Sequence, residues 1–132
     1  MKADFLCPNC YGFLNVNEKL VFAVKKKGQN GGVFLFSPSL GDYSISHHHS
    51  FETEDGEQVD FHCPICNHNL SVEDGDKFAR VLLREDDKEY FVVFSKTKGE
   101  RCTYKMSNNQ IEASYGDHFV NHFDFVSALF FK

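Results

Sequence analysis

"FLCPNC" at residues 5–10 and "FHCPIC" at residues 61–66 spell the same turn twice, about half a chain apart. A Cys-x-x-Cys turn points two thiols to one side of a tight bend, where backbone N–H groups just past the first Cys can donate to sulfur. Each turn supplies two soft ligands, whereas a closed structural zinc site takes four in a tetrahedron with Zn–S near about 2.3 Å. The pairing predicts one site made of Cys7, Cys10, Cys63 and Cys66, with two halves of the chain facing each other across a single ion. All four ligands come from protein, so no coordination position is left to activate water, and the ion is expected to be structural.

The resemblance between the halves extends beyond the turns. A displacement of 56 positions sets Phe5 on Phe61, Cys7 on Cys63, Pro8 on Pro64, Cys10 on Cys66, Leu14 on Leu70, Val16 on Val72, Phe22 on Phe78 and Ala23 on Ala79. After a two-residue shift "VFLFS" (33–37) lies over "FVVFS" (91–95) and Gly41 over Gly99; a further slip sets "YSIS" (43–46) over "YKMS" (104–107) and "FETEDG" (51–56) over "IEASYG" (111–116). Each copy reads as a Cys turn, a strand, a turn, a second strand, a turn and a third strand leading into a last hairpin. Residues 1–132 are therefore expected to form one domain of two pseudo-repeats, about 1–60 and 61–116, followed by a segment 117–132.

The fold class expected is mainly β. Fifteen Phe, five Tyr and no Trp, together with many Val, suit pleated, half-buried surfaces. The first strands are expected at 20–25 ("LVFAVK") and 77–84 ("KFARVLLR"). Phe78, Val81 and Leu82 also satisfy a helical spacing, but equivalence with "LVFAV" decides for strand. "KKKGQNGG" signals a hairpin turn, and its counterpart "EDDKE" lacks glycine. Phe119, Phe123, Val126 and Phe130 recur at roughly helical spacing behind Asp117 as a candidate N-cap, which predicts a short C-terminal helix over about 118–130.

"CPNCYGFL" and "CPICNHNL" resemble the knuckles of the zinc-ribbon superfamily, which read Cys-Pro-x-Cys, then Gly or a small polar residue, then an apolar residue. The resemblance covers about eight residues per copy and implies metal binding, not a particular activity. Tyr11 departs from the pattern, standing where a residue tolerant of positive φ is usual, and this predicts a distorted first knuckle; Asn67 suits the second. A rubredoxin-like iron centre uses the same four thiolates, but zinc is preferred because no redox cofactor signature accompanies them. A redox Cys-x-x-Cys would stand once, at the start of a helix in a βαβ pattern, and neither copy reads so.

Other candidates are weaker. On a strand, His47 and His49 would share a face with His48 opposite, but the matching residues Asn108, Asn109 and Gln110 are poor ligands, so a solvated strand end is expected. His62 and His68 flank the second knuckle and could support its sulfurs. Cys102 has no readable His partner and is expected as a buried hydrophobe. The acidic runs "ETEDGE" and "REDDKE" follow no calcium-loop pattern.

The net charge of −5 moves to about −7 with a four-thiolate zinc. That disfavours binding to a phosphate backbone, which would need Lys25 to Lys27, Arg80, Arg84, Lys96, Lys98 and Arg101 on one face. Residues 1–20 carry no secretion signal, and nowhere are there 18 consecutive apolar residues, so no membrane span is expected. Five cysteines, four of them in paired turns, fit a reducing, cytoplasmic setting. No small-molecule substrate is evident. The expected function is a non-enzymatic, zinc-stabilised protein-interaction module whose partner is another protein or a second copy. The Phe-rich end "FDFVSALFFK" (123–132) is the candidate contact, a cap over the open sheet being its other reading. The alternatives are a nucleic-acid or ribosome-associated zinc ribbon and an iron electron-transfer protein.

Overall fold

Alternating burial organises the chain into strands: in Lys19–Lys25, Leu20, Phe22 and Val24 point inward while Lys19 and Lys25 stay in water. The computed structural model describes residues 3–26, 31–49, 51, 53–72, 77–107 and 110–118. Ten strands form among these residues: β1 Ala3–Leu6, β2 Asn15–Val16, β3 Lys19–Lys25, β4 Gly32–Phe36, β5 Ile45–His47, β6 Asp60–His62, β7 Phe78–Glu85, β8 Lys88–Ser95, β9 Thr103–Ser107 and β10 Gln110–Tyr115. All the strand pairings are antiparallel, and no helix occurs among the described residues. The protein is mainly β, as expected. The C-terminal helix expected over about 118–130 lies almost wholly outside the described residues.

One sheet runs β1-β7-β8-β9-β10; the other runs β2-β3-β4-β5, with β6 also paired to β3. The leading strands are exchanged between halves. β1, which runs into the first Cys turn, pairs with β7 through Phe5↔Leu83; β6, which runs into the second, pairs with β3 through Phe61↔Val24. Each Cys turn thus grows from the other half's sheet.

The ladders do not follow all of the letter matches between the two halves. Leu14 accepts from the Val21 N–H and Leu70 from the Arg80 N–H, so Val21 corresponds to Arg80 and Leu20 to Ala79, not Phe22 to Phe78. The cause is a loop: two residues separate Val16 from Lys19, and five separate Val72 from Phe78. The match of "VFLFS" with "FVVFS" agrees with the pairing, since Leu20↔Phe36 parallels Ala79↔Phe94. Further on, Phe36↔Ile45 parallels Phe94↔Thr103, so "YSIS" and "YKMS" are three residues out of step. Among the described residues the last hairpin, β9–β10, forms in the second half only. In the first half the backbone at Gly56, Glu57 and Val59 instead bonds to Lys98 and Lys96 of the other half.

Phe78, Val81 and Leu82 sit on a strand, buried on both faces of β7, which is why their pattern imitates a helix. The turn from Glu85 to Lys88 closes without glycine because Asp86 and Asp87 take φ of 51° and 65°, the left-handed pair that a type I′ hairpin demands and that Asp tolerates. Between the sheets Phe22, Phe36, Phe61 and Phe94 pack mainly edge-to-face, with ring centroids 5.2–5.9 Å apart. A second cluster of Val72, Phe78, Val93, Cys102, Tyr104 and Met106 lies apart from it.

Candidate metal centre

The two Cys turns are built alike, bond for bond. The Tyr11 N–H donates to the Cys7 carbonyl at 2.9 Å and the Asn67 N–H to the Cys63 carbonyl at 2.9 Å; the Cys7 N–H donates to Gly12 and the Cys63 N–H to His68. Closing the turn requires a left-handed residue next, and Tyr11 (φ 59°) and Asn67 (φ 65°) both supply it. The first knuckle is therefore not distorted, contrary to the sequence expectation. Tyr11 accepts the strain, about 1–2 kcal/mol for a non-glycine residue, with its side chain 62% exposed and clear of the turn.

Because β1 and β6 leave opposite sheets toward the same end, the knuckles meet. Cys7 Sγ lies 3.8 Å from Cys66 Sγ and Cys10 Sγ 3.8 Å from Cys63 Sγ, and all four sulfurs fall within 4.8 Å of one another. The edge of a tetrahedron with Zn–S of about 2.3 Å is about 3.8 Å. A disulfide needs about 2.05 Å, so these are four separate thiols. Cys7 and Cys63 are buried, and Cys10 and Cys66 face solvent.

Donors surround the sulfurs. The N–H groups of Asn9 and Ile65 point at Cys7 and Cys63 Sγ at 3.3 Å, that of Cys66 at Cys63 Sγ at 3.4 Å, and that of Gly12 at Cys10 Sγ at 3.4 Å. Such donors suit thiolates better than thiols. Asn9 also donates its side-chain amide across the gap to Cys66 Sγ at 3.6 Å. This contact, with the backbone N–H of His68 next in weight, brings the Cys66 thiol down to about 6. Burial works the opposite way on the inner pair: it pushes Cys7 up to about 12 and raises Cys63. Four clustered thiols become four thiolates together when a divalent cation supplies the compensating charge. The donor set thus fits a soft, tetrahedral cation.

Among the described residues, these four cysteines are the group of His, Cys, Asp or Glu side chains placed to share an ion. His62 turns its Nδ1 to the Asn67 carbonyl at 3.3 Å, where it braces the second knuckle. His47, His48 and His49 are exposed at the end of β5, the first bonded to a backbone carbonyl at 2.8 Å and the other two with rings 4.3 Å apart. Cys102 is fully buried and its thiol is pushed up to about 11 by that burial, as befits a core residue. The Asn9 bridge was not read from the sequence; its signal would have been a polar residue at the x position of one knuckle opposite apolar Ile65 in the other.

Around the sulfurs the knuckle tips carry Tyr11, Phe13 and Ile65, which are 62%, 57% and 62% exposed. Gly12 leaves room for Ile65 Cδ1 to reach across from the other knuckle. Among the described residues no helix is long and apolar enough to cross a membrane. No protein family, curated protein or solved structure matches this chain, so its function has to be argued from the four-sulfur cluster and the surface around it.

Proposed function

We propose that Cys7, Cys10, Cys63 and Cys66 hold one structural zinc ion, and that the chain is a non-enzymatic, cytoplasmic protein-interaction module built of two tandem, strand-exchanged copies. The observation that carries this reading is the cluster of four thiols with 3.8 Å separations across the knuckles. The metal fastens β1 and β6 at the point where each leaves its partner sheet. The interaction role rests on Tyr11, Phe13 and Ile65, large apolar side chains in water on a rigid, metal-braced tip. The Phe-rich end 123–132 stays a second candidate contact and lies outside the described residues.

Cations that a nucleic-acid role would need are engaged within the chain. Lys26 pairs with Glu57 at 2.9 Å, Arg84 with Glu89 at 2.9 Å and buried Lys96 with Asp60 at 2.9 Å, while Arg80 lies over the Phe91 ring at 4.9 Å. This supports a protein partner over a phosphate backbone. The test is capture of partners from the native host by the full chain at low and high salt, beside a Phe13→Ser, Ile65→Ser variant. Loss of a salt-insensitive protein partner in the variant supports the reading; salt-sensitive retention of nucleic acid by both forms contradicts it. The same four sulfurs would also hold iron, and purified protein that is red instead of colourless would select that second reading.

A further inference from the structure

Between the two sheets lies a cavity of about 270 Å³. Its walls include Phe5, Phe22, Phe34, Phe36, Phe61 and Phe94. An apolar cavity of roughly 150 Å³ is already enough to take up benzene, so this one has room for a body of about two fused rings.

The polar groups along it say what kind of molecule would fit. Every charged side chain lining it has a partner in the chain: Lys96 bonds to Asp60 and Ser71, Lys98 to Thr53, Glu100 to Ser95 and Asp42 to Ser44, and Arg101 lies 3.6 Å from Asp117. Among the described residues no buried side-chain nitrogen or oxygen lacks a hydrogen bond. Lys96 and Arg101 face carboxylates and the other three are held by hydroxyls, so an ionic ligand would lose its hydration and have to compete with these contacts. Tyr43 and Thr103 differ from the rest. Their hydroxyls lie 2.8 Å apart on the lining, and that single bond uses one of two hydroxyl protons and leaves the other, with spare lone pairs, for a ligand. Burial raises the Tyr43 phenol above its ordinary range, so it stays a donor.

We propose that this cavity is a binding site for a small neutral molecule with an apolar, bicyclic-sized body and a single hydroxyl or carbonyl end. The body packs against the phenylalanine cluster, and the polar end meets the Tyr43–Thr103 pair. The cavity is separate from the four-sulfur cluster, and it adds a ligand to a protein whose sequence advertises none.

The test is titration of the metal-loaded full chain with 1-naphthol, followed by the probe's fluorescence and by backbone amide shifts. Saturable one-site binding is expected, with the largest shifts at Phe36, Tyr43, Phe94 and Thr103. Phe36→Trp and Leu40→Trp each place bulk in the cavity, and each is expected to weaken binding about tenfold or more; Phe36 packs on Phe22, Phe61 and Phe94, so Leu40→Trp, outside that ring cluster, is the variant expected to keep the wild-type melting temperature. Tyr43→Phe is expected to weaken 1-naphthol by about three- to tenfold and to leave naphthalene unchanged. Absence of saturable binding, binding indifferent to Leu40→Trp, or tighter binding of decanoate than of 1-naphthol would overturn the proposal.

Discussion

Phe5 on β1 lies opposite Leu83 on β7, a residue of the other half of the chain, and this rung sets the first Cys turn on the second half's sheet. Phe61 opposite Val24 does the reverse for the second turn. The exchange makes the four-sulfur cluster the place where both sheets meet, so with the proposed ion bound, damage at one knuckle should be felt by both.

Cys63→Ser removes one of four ligands. Structural zinc is worth about 10–16 kcal/mol in small metal-folded peptides, as much as an ordinary domain's whole stability of about 5–15 kcal/mol. Hydrogen exchange should show the amides of Val24 and Leu83 losing protection together. Protection lost around Val24 alone, with Leu83 unaffected, would mean that the sheets are not coupled through a common ion.

Asn9→Ala deletes the amide that reaches Cys66 Sγ from the opposite knuckle. Groups that support metal ligands in this way typically affect metal affinity by about 10–100-fold. Competition against a chromophoric chelator should therefore show zinc held less tightly by about that factor while the circular dichroism spectrum of the loaded protein is unchanged. Equal affinity in the two proteins would leave the bridge without a role.

Gly116 has φ of +93°, and a side-chain carbon there would run into the Arg101 carbonyl and lie 2.6 Å from the Tyr43 hydroxyl. Gly56 has the same φ of +93° with nothing within 4 Å of such a carbon. Gly56→Ala thus isolates backbone strain, about 1 kcal/mol, and Gly116→Ala adds a clash with backbone that cannot rotate away. Denaturant melts should place Gly116→Ala lower by a further 2 kcal/mol or so. Equal midpoints would mean the chain relaxes freely at Arg101.

Cys102 yields a pH prediction with a definite sign. Burial raises its folded value from 9.0 to about 11, so the folded state holds the proton more tightly than the unfolded chain does. The resulting stabilisation is fully present below about pH 9 and disappears as pH rises through about 11, roughly 2–3 kcal/mol in all. Between those limits wild type should lose more stability than Cys102→Ala by about that amount in urea melts. Parallel pH profiles for the two proteins would contradict the assignment.

The knuckles were legible in the sequence because their chemistry is local: ligand spacing, turn and apolar neighbours fit within eight residues. The strands were legible because β-branched and aromatic residues are concentrated in Lys19–Lys25 and Lys88–Ser95, with alternating burial along the first. Register was not. The longer loop between Val72 and Phe78 lets Phe22 and Phe78 match as letters while the ladders pair Leu20 and Ala79 with their counterparts Phe36 and Phe94. Strand exchange was also hidden, because Phe5 would satisfy its alternation equally well on either sheet, and the choice is made by long-range packing. Tyr11 shows the limit of residue preference: an unfavourable side chain takes the left-handed turn because hydrogen bonds on both sides fix the knuckle.

The most direct measurement of the shared site is the metal content and intact mass of the full chain under native conditions, after purification without added metal. One zinc per chain, released with unfolding when Cys7, Cys10, Cys63 and Cys66 are alkylated or the ion is chelated, is the result predicted. A folded chain that carries no ion, or that keeps both sheets after the ion is stripped, would contradict it.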